Sequence, residues 1–135
     1  MSYMHEKQCC HRDLKPDNII YQPETGIVKI IDFGFAICSS EKLKVFCGTP
    51  SYMAPEIVQQ KEYNGQAADM WACGVIMYYI LVGILPFKSG DERGLFRKIE
   101  KAEYPIPVDA EGKRLSVEAR DLIRQLLQPN PNLRI

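Results

Sequence analysis

Neither sign of charge is in excess, since 17 Lys and Arg are matched by 17 Asp and Glu. That removes the electrostatic reason to expect a nucleic acid or an anionic membrane as the main partner, and neither is expected. The opening residues, MSYMHEKQCC, lack the apolar stretch of a secretory signal. Cys9, Cys10, Cys38, Cys47 and Cys73 lack any C-x-x-C spacing, so they read neither as a zinc site nor as a disulfide framework. They are expected to be small buried apolar residues in a reducing, intracellular and cytoplasmic setting. Internal repeats, low-complexity tracts and interdomain linkers are missing too, and 135 residues suffice for about one domain. One stretch, Met70 to Phe87, has no charge at all. A membrane span needs about 20 apolar residues. This run contains Gly74 and Gly83 and ends in Leu85-Pro86-Phe87, so it reads as the central helix of a soluble core, hydrophobic all round.

The elements that are present can be placed in order. Residues 1–8 are polar and read as the frayed end of a helix. Ile19-Ile20-Tyr21 and Ile27-Val28-Lys29-Ile30-Ile31 are β-branched runs separated by Gln22-Pro23-Glu24-Thr25-Gly26, the pattern of a β-hairpin with a Gly-closed loop. Residues 38–55 hold no sustained period and are broken by Gly48, Pro50 and Pro55, so a long ordered functional loop is expected. Asp69 stands where a carboxylate favours a helix N-terminus, ahead of the apolar helix to about Val82. Leu95, Phe96 and Ile99 mark a shorter amphipathic helix. Ser116 is a candidate N-cap for a last helix, with Leu122, Ile123, Leu126 and Leu127 on its apolar side and Pro129 and Pro131 closing it.

Chemistry concentrates at the two ends of the hairpin. His11-Arg12-Asp13-Leu14-Lys15-Pro16-Asp17-Asn18 precedes it, and Asp32-Phe33-Gly34 follows it. Pairing of the strands brings Asn18 and Asp32 near each other despite their separation. Both offer hard oxygen ligands of the kind Mg²⁺ accepts when phosphates complete its shell. Asp13 is free to face an incoming hydroxyl, and Lys15 can neutralise a phosphoryl oxygen. Metal clamp, nucleophile positioning and compensating cation are the parts phosphoryl transfer needs.

These two segments resemble the catalytic loop and the metal-binding D-F-G motif of serine/threonine protein kinases. The resemblance runs from about Met4 to Arg134 and implies a partial kinase domain over 1–135, mainly α with a short β-hairpin: the C-terminal lobe of the fold. It implies Asp13 as catalytic base, Lys15 at the transferred phosphate, Asn18 and Asp32 as Mg²⁺ ligands, Ile20 at the nucleotide, and ATP and Mg²⁺ as cofactors. Gly48-Thr49-Pro50-Ser51-Tyr52-Met53-Ala54-Pro55-Glu56 resembles the loop that receives the substrate peptide, with the Thr49 hydroxyl expected near Asp13 and Lys15. Asp69-Met70-Trp71-Ala72-Cys73-Gly74 is similar to the D-x-W-x-x-G segment whose Asp binds catalytic-loop amides. His11 and Phe33 are expected to stack, and Glu56 to pair with Arg134 of Asn130-Pro131-Asn132-Leu133-Arg134.

Departures from the pattern carry their own expectations. Only ten residues precede His11, without a Gly-rich phosphate loop, so the N-terminal lobe is read as absent and little activity is expected of this chain alone. The alternative is a catalytically inactive docking module derived from a kinase. Arg12 precedes Asp13, yet Val45 occupies the position where such kinases carry a phosphothreonine. The loop then orders without phosphate or uses Ser39 or Ser40. Protein substrates are implied. Asp17 leans toward basic ones, while Tyr79 stands where some basophilic kinases have a second acid.

Overall fold

The computed structural model describes residues 1–105, 107 and 113–135. Helix α1 (Ser2–Glu6) leads into strand β1 (Cys9–Cys10). A 3₁₀ turn at Pro16–Asn18 then feeds the hairpin of β2 (Ile19–Gln22) and β3 (Ile27–Ile30). Strand β4 (Ile37–Cys38) follows, then a second 3₁₀ turn at Pro50–Tyr52, α2 (Pro55–Val58), α3 (Gly65–Val82), α4 (Glu92–Glu100) and α5 (Val117–Leu126). The mainly helical character and the hairpin agree with the sequence. β2 pairs antiparallel with β3 in the register Ile19↔Ile30 to Gln22↔Ile27, closed by Gly26 at φ 68°.

Helix α3 organises the interior. Trp71, Val75 and Tyr78 are fully buried, and Trp71 stacks on Phe87 with ring centroids 5.5 Å apart. Gly74 lets α5 approach: a Cβ there would meet the Leu126 Cβ at 2.8 Å and the Leu127 Cδ2 at 2.9 Å. The helix begins earlier than the sequence suggested. Asn64 is the N-cap, its side-chain oxygen accepting from the amides of Gln66 (2.8 Å) and Ala67 (3.2 Å), and Asp69 lies within the helix with its carboxylate used elsewhere. Asp91 and Ser116 cap α4 and α5 by accepting from the amides of Gly94 and Ala119. On α5, Ile123, Leu126 and Leu127 are buried as expected, but Leu122 is turned outward.

Contrary to the expectation that no disulfide forms, Cys9 and Cys38 are bonded. They face each other across a second small sheet, β1 with β4, in the register Cys9↔Cys38 and Cys10↔Ile37. Their 29-residue separation is bridged only by tertiary pairing, which no local spacing could display. Cys10 and Cys47 are buried free thiols, as predicted, and Cys73 is half-buried.

The far end of the chain is fastened to the core by a buried ion pair. Arg134 donates through Nη1 and Nη2 to the two Glu56 carboxylate oxygens at 2.7 and 3.0 Å, and to the carbonyls of Ala67 and Gln128. Its guanidinium also lies 5.2 Å from the Trp71 ring centroid. Removing one partner leaves the other charge buried alone, a loss of about 3–5 kcal/mol. Arg134→Ala is therefore predicted to lower the unfolding free energy by about that amount in urea titrations. Arg134→Lys should recover only part of it, because an ammonium cannot make the two parallel bonds. A loss within 0.5 kcal/mol of zero, roughly the range of an exposed substitution, would show that the pair does not hold the core.

Candidate active site

The segment after β1 is shaped by what its backbone amides meet. Asp69, itself buried, accepts from the amides of His11 and Arg12, both at 2.8 Å, and its third contact is the His5 ring, 3.1 Å from Oδ2. Arg12 is held at φ 67°, a left-handed conformation that a non-glycine residue adopts only when its surroundings hold it there. The bend turns Asp13 inward. Gly48, at φ 108°, lies against the same bend, and a Cβ there would come within 2.7 Å of the Arg12 carbonyl oxygen. The chain crosses itself closely here, and only glycine fits.

Around Asp13 the donors converge. Thr49 donates to the Asp13 Oδ1 twice, through its amide at 2.8 Å and its hydroxyl at 2.7 Å. Lys15 Nζ donates to the Thr49 hydroxyl oxygen at 2.8 Å and lies 3.1 Å from the Asp13 Oδ2. The buried Asn18 donates its amide nitrogen to the Asp13 carbonyl at 2.9 Å and to the Asp13 Oδ2 at 3.4 Å, which leaves the side-chain oxygen free to coordinate a cation. Burial alone would push the Asp13 carboxyl up. The hydrogen bonds from Thr49 and Lys15, with the Lys15 charge, outweigh burial and hold it below the ordinary carboxylate value.

Asp32 is fixed beside this group through the backbone. The Ile31 amide donates to the Asn18 carbonyl at 3.0 Å, and the His11 ring contacts the Ile31 carbonyl at 2.9 Å. Asp32 follows directly, at φ 59°, with its Oδ1 accepting from the Gly34 amide at 3.2 Å and its side chain exposed. Asn18 and Asp32 thus stand at the same end of the hairpin, and their side-chain oxygens are of the hard kind that Mg²⁺ accepts when phosphate and water oxygens complete its shell. Among the described residues no three-fold cluster of His, Cys, Asp or Glu offers a closed protein cage. His11 and Phe33 meet edge-on rather than stacked, centroids 5.1 Å apart at 64°. Ile20 stands half-exposed on the hairpin and outside the hydrogen-bonded group.

The sequence missed the tether of the long loop. Tyr63, the lone aromatic residue in the polar stretch Gln59–Gln66, is buried. It exchanges backbone hydrogen bonds with Leu43 at 2.8 and 2.9 Å and donates its hydroxyl to the Val45 carbonyl at 2.9 Å. Burial first, then the Cys47 thiol, raise its pKa to about 12, so it remains a protonated donor. The Tyr63 bond ties down the loop at Val45, and Glu41 to Gly48 contains no hydroxyl side chain. A large aromatic residue surrounded by polar ones was the available signal. Arg12 Nε donates to the Phe35 carbonyl at 2.6 Å, while its Nη1 is buried without a hydrogen-bond partner among the described residues.

The comparisons with known proteins fit this geometry. The family model described as protein kinase domain matches residues 1–135. CBL-interacting serine/threonine-protein kinase 8 of Arabidopsis thaliana is 43% identical over 138 residues, covering 100% of this chain and 30% of that protein. CBL-interacting protein kinase 1 of Oryza sativa subsp. japonica is 44% identical over 140 residues, covering 100% of this chain and 29% of that protein. Sperm motility kinase 2B of Mus musculus is 43% identical over 136 residues, covering 99% and 27%. The chain therefore spans under a third of the length of these relatives.

The depressed Asp13 pKa makes a signed prediction. Its charged form contributes stability in full above the unfolded-state value of about 3.9, and that contribution is lost as the pH falls through the lower folded value. The stability difference between the parent chain and Asp13→Asn should thus shrink as urea titrations move from about pH 5 toward about pH 2. A difference independent of pH would remove the charge from the network.

Proposed function

Because this chain belongs to the protein kinase family, we propose that it supplies the catalytic lobe of a serine/threonine protein kinase, which moves the terminal phosphate of ATP to a protein hydroxyl. The observation that carries the proposal is the hydrogen-bonded group of Asp13, Thr49, Lys15 and Asn18, with Asp32 held one residue beyond the Ile31–Asn18 backbone bond. The serine/threonine names of the relatives point the same way.

In this reading Asp13 receives the substrate hydroxyl. Its Oδ1 takes two short bonds from Thr49, whereas Oδ2 has only longer contacts, with Lys15 at 3.1 Å and Asn18 Nδ2 at 3.4 Å, so the Oδ2 edge accepts the hydrogen bond. A carboxylate with a depressed pKa is a weak base at neutral pH. Its main service is to aim the hydroxyl oxygen at phosphorus and to take the proton late, as the oxygen loses electron density. Lys15 is positioned to pass from Asp13 and Thr49 to the transferred phosphoryl oxygens. Asn18 and Asp32 would hold Mg²⁺, which when bound would neutralise charge on the phosphates. Ile20 lies on the nucleotide side. Glu56, Asp69 and Arg134 position the others from behind.

The substrate class proposed is a protein segment with basic residues. Asp17 is exposed on the turn before β2, and after burial it is the nearby charge, with Tyr79, that holds the Tyr52 hydroxyl pKa up. An exposed carboxylate is suited to a guanidinium or ammonium group.

The test places this chain in a relative, exchanged for the segment it matches, and follows labelled phosphate from ATP into a serine peptide. The parent chimera should transfer phosphate, and Asp13→Ala should lower turnover by roughly 10²-fold or more, measured at a temperature where circular dichroism shows both proteins folded. Near-normal turnover in Asp13→Ala would take that residue out of the mechanism. Asp17→Ala should raise KM for arginine-containing peptides and spare kcat.

A further inference from the structure

We infer that Cys9 and Cys38 form a reversible dithiol–disulfide clasp that sets how firmly the segment from Phe33 to Ser39 is held against the strand leading into the Asp13 loop. Both cysteines stand at junctions. Cys9 is two residues before His11, and Cys38 closes the stretch that begins at Asp32-Phe33-Gly34. They belong to a sheet of only two residues per strand, which is marginal without further support.

The register favours bonding between these two cysteines. The Ser39 amide donates to the Gln8 carbonyl at 3.0 Å, which makes Cys9↔Cys38 a non-hydrogen-bonded antiparallel pair, the kind with the closer side chains. Cys38 is exposed and Cys9 partly so, which gives small oxidants and reductants access. The remaining cysteines are poorer candidates. Cys10 and Cys47 are buried, and Cys73 is pushed up to about 11 by burial and then by Asp69, which keeps its thiol protonated.

The clasp also reaches the site through non-covalent contacts. Between Asp32 and Cys38, the Phe35 carbonyl accepts from Arg12 Nε and the Ile37 carbonyl accepts from the Cys10 thiol. With the disulfide closed, β4 cannot leave β1, and both carbonyls stay in place. With the thiols free, that two-residue pairing must hold by itself. The chemistry balances with a peroxide as oxidant. One thiolate attacks a peroxide oxygen, the O–O bond breaks, and a sulfenic acid and water result. The second thiolate displaces the sulfenic oxygen as water, so two thiols and one peroxide give one disulfide and two waters. A dithiol reductant returns two electrons and two protons. This local effect stands without the kinase proposal; only its consequence for phosphate transfer rests on that proposal.

The experiment treats the chain with hydrogen peroxide or with a dithiol, then reads alkylated digests by mass and backbone amides by hydrogen exchange. Expected are a Cys9–Cys38 linked peptide that disappears on reduction and returns on oxidation, and exchange over 35–41 roughly tenfold faster in the reduced form. Amides of α3 and the hairpin should not change. Cys38→Ser should exchange rapidly under both conditions, Cys9→Ser should do the same if the first variant folds poorly, and Cys73→Ser should behave as the parent. Absence of the linked peptide, or equal exchange in the two forms, overturns the inference. Neither readout involves phosphate transfer, so a failure here is separable from a failure of the proposed activity.

Discussion

The Asp69 carboxylate holds the rest of the site together. It lies inside α3 with its two oxygens facing the amides of His11 and Arg12. A buried carboxylate is costly unless it is hydrogen-bonded, and a positive φ at Arg12 is costly unless the surroundings fix it. Each cost is met by the other group. The result is a rigid bend that aims Asp13 at Thr49 and Lys15. Because α3 is itself packed around Trp71 and Gly74, the bend inherits the rigidity of the core.

The same bend decides how the long loop lies. Gly48 crosses the Arg12 carbonyl where no side chain could pass, and this crossing delivers Thr49 to Asp13. Upstream, Tyr63 and Leu43 pair through their backbones, and the exposed Lys44–Glu62 pair adds little, as surface ion pairs do. Phe46 meets Phe96 of α4 edge-on, 6.2 Å between centroids. The stretch from Leu43 to Phe46 is thus held by one backbone bridge, the Tyr63 hydroxyl and one ring contact. Such an arrangement can be remodelled by small changes in its attachments, of which the Cys9–Cys38 bond is the covalent one.

Charge in the site is arranged to keep Asp13 ionised. Burial works against ionisation there, and the donors from Thr49 and Lys15 reverse it. For the proposed reaction the consequence is chemical: a carboxylate held in this way orients a hydroxyl better than it strips one. Phosphoryl transfer asks little more of a protein than positioning and electrostatic compensation.

By itself the sequence determined the hairpin, the caps at Ser116 and the order of His11, Asp13, Lys15, Asn18 and Asp32, because alternation, capping chemistry and motif spacing are local properties. It also marks the uncharged run from Met70 as a core helix but leaves the helix start open, since Asn64 and Asp69 both suit a first turn. Only the tertiary structure decided the Cys9–Cys38 bond, the Tyr63 tether and the edge-on meeting of His11 and Phe33. Each depends on which strands and loops come side by side from distant parts of the chain. Pairing of that kind is fixed by packing of the whole core around α3, and no short window of residues encodes it.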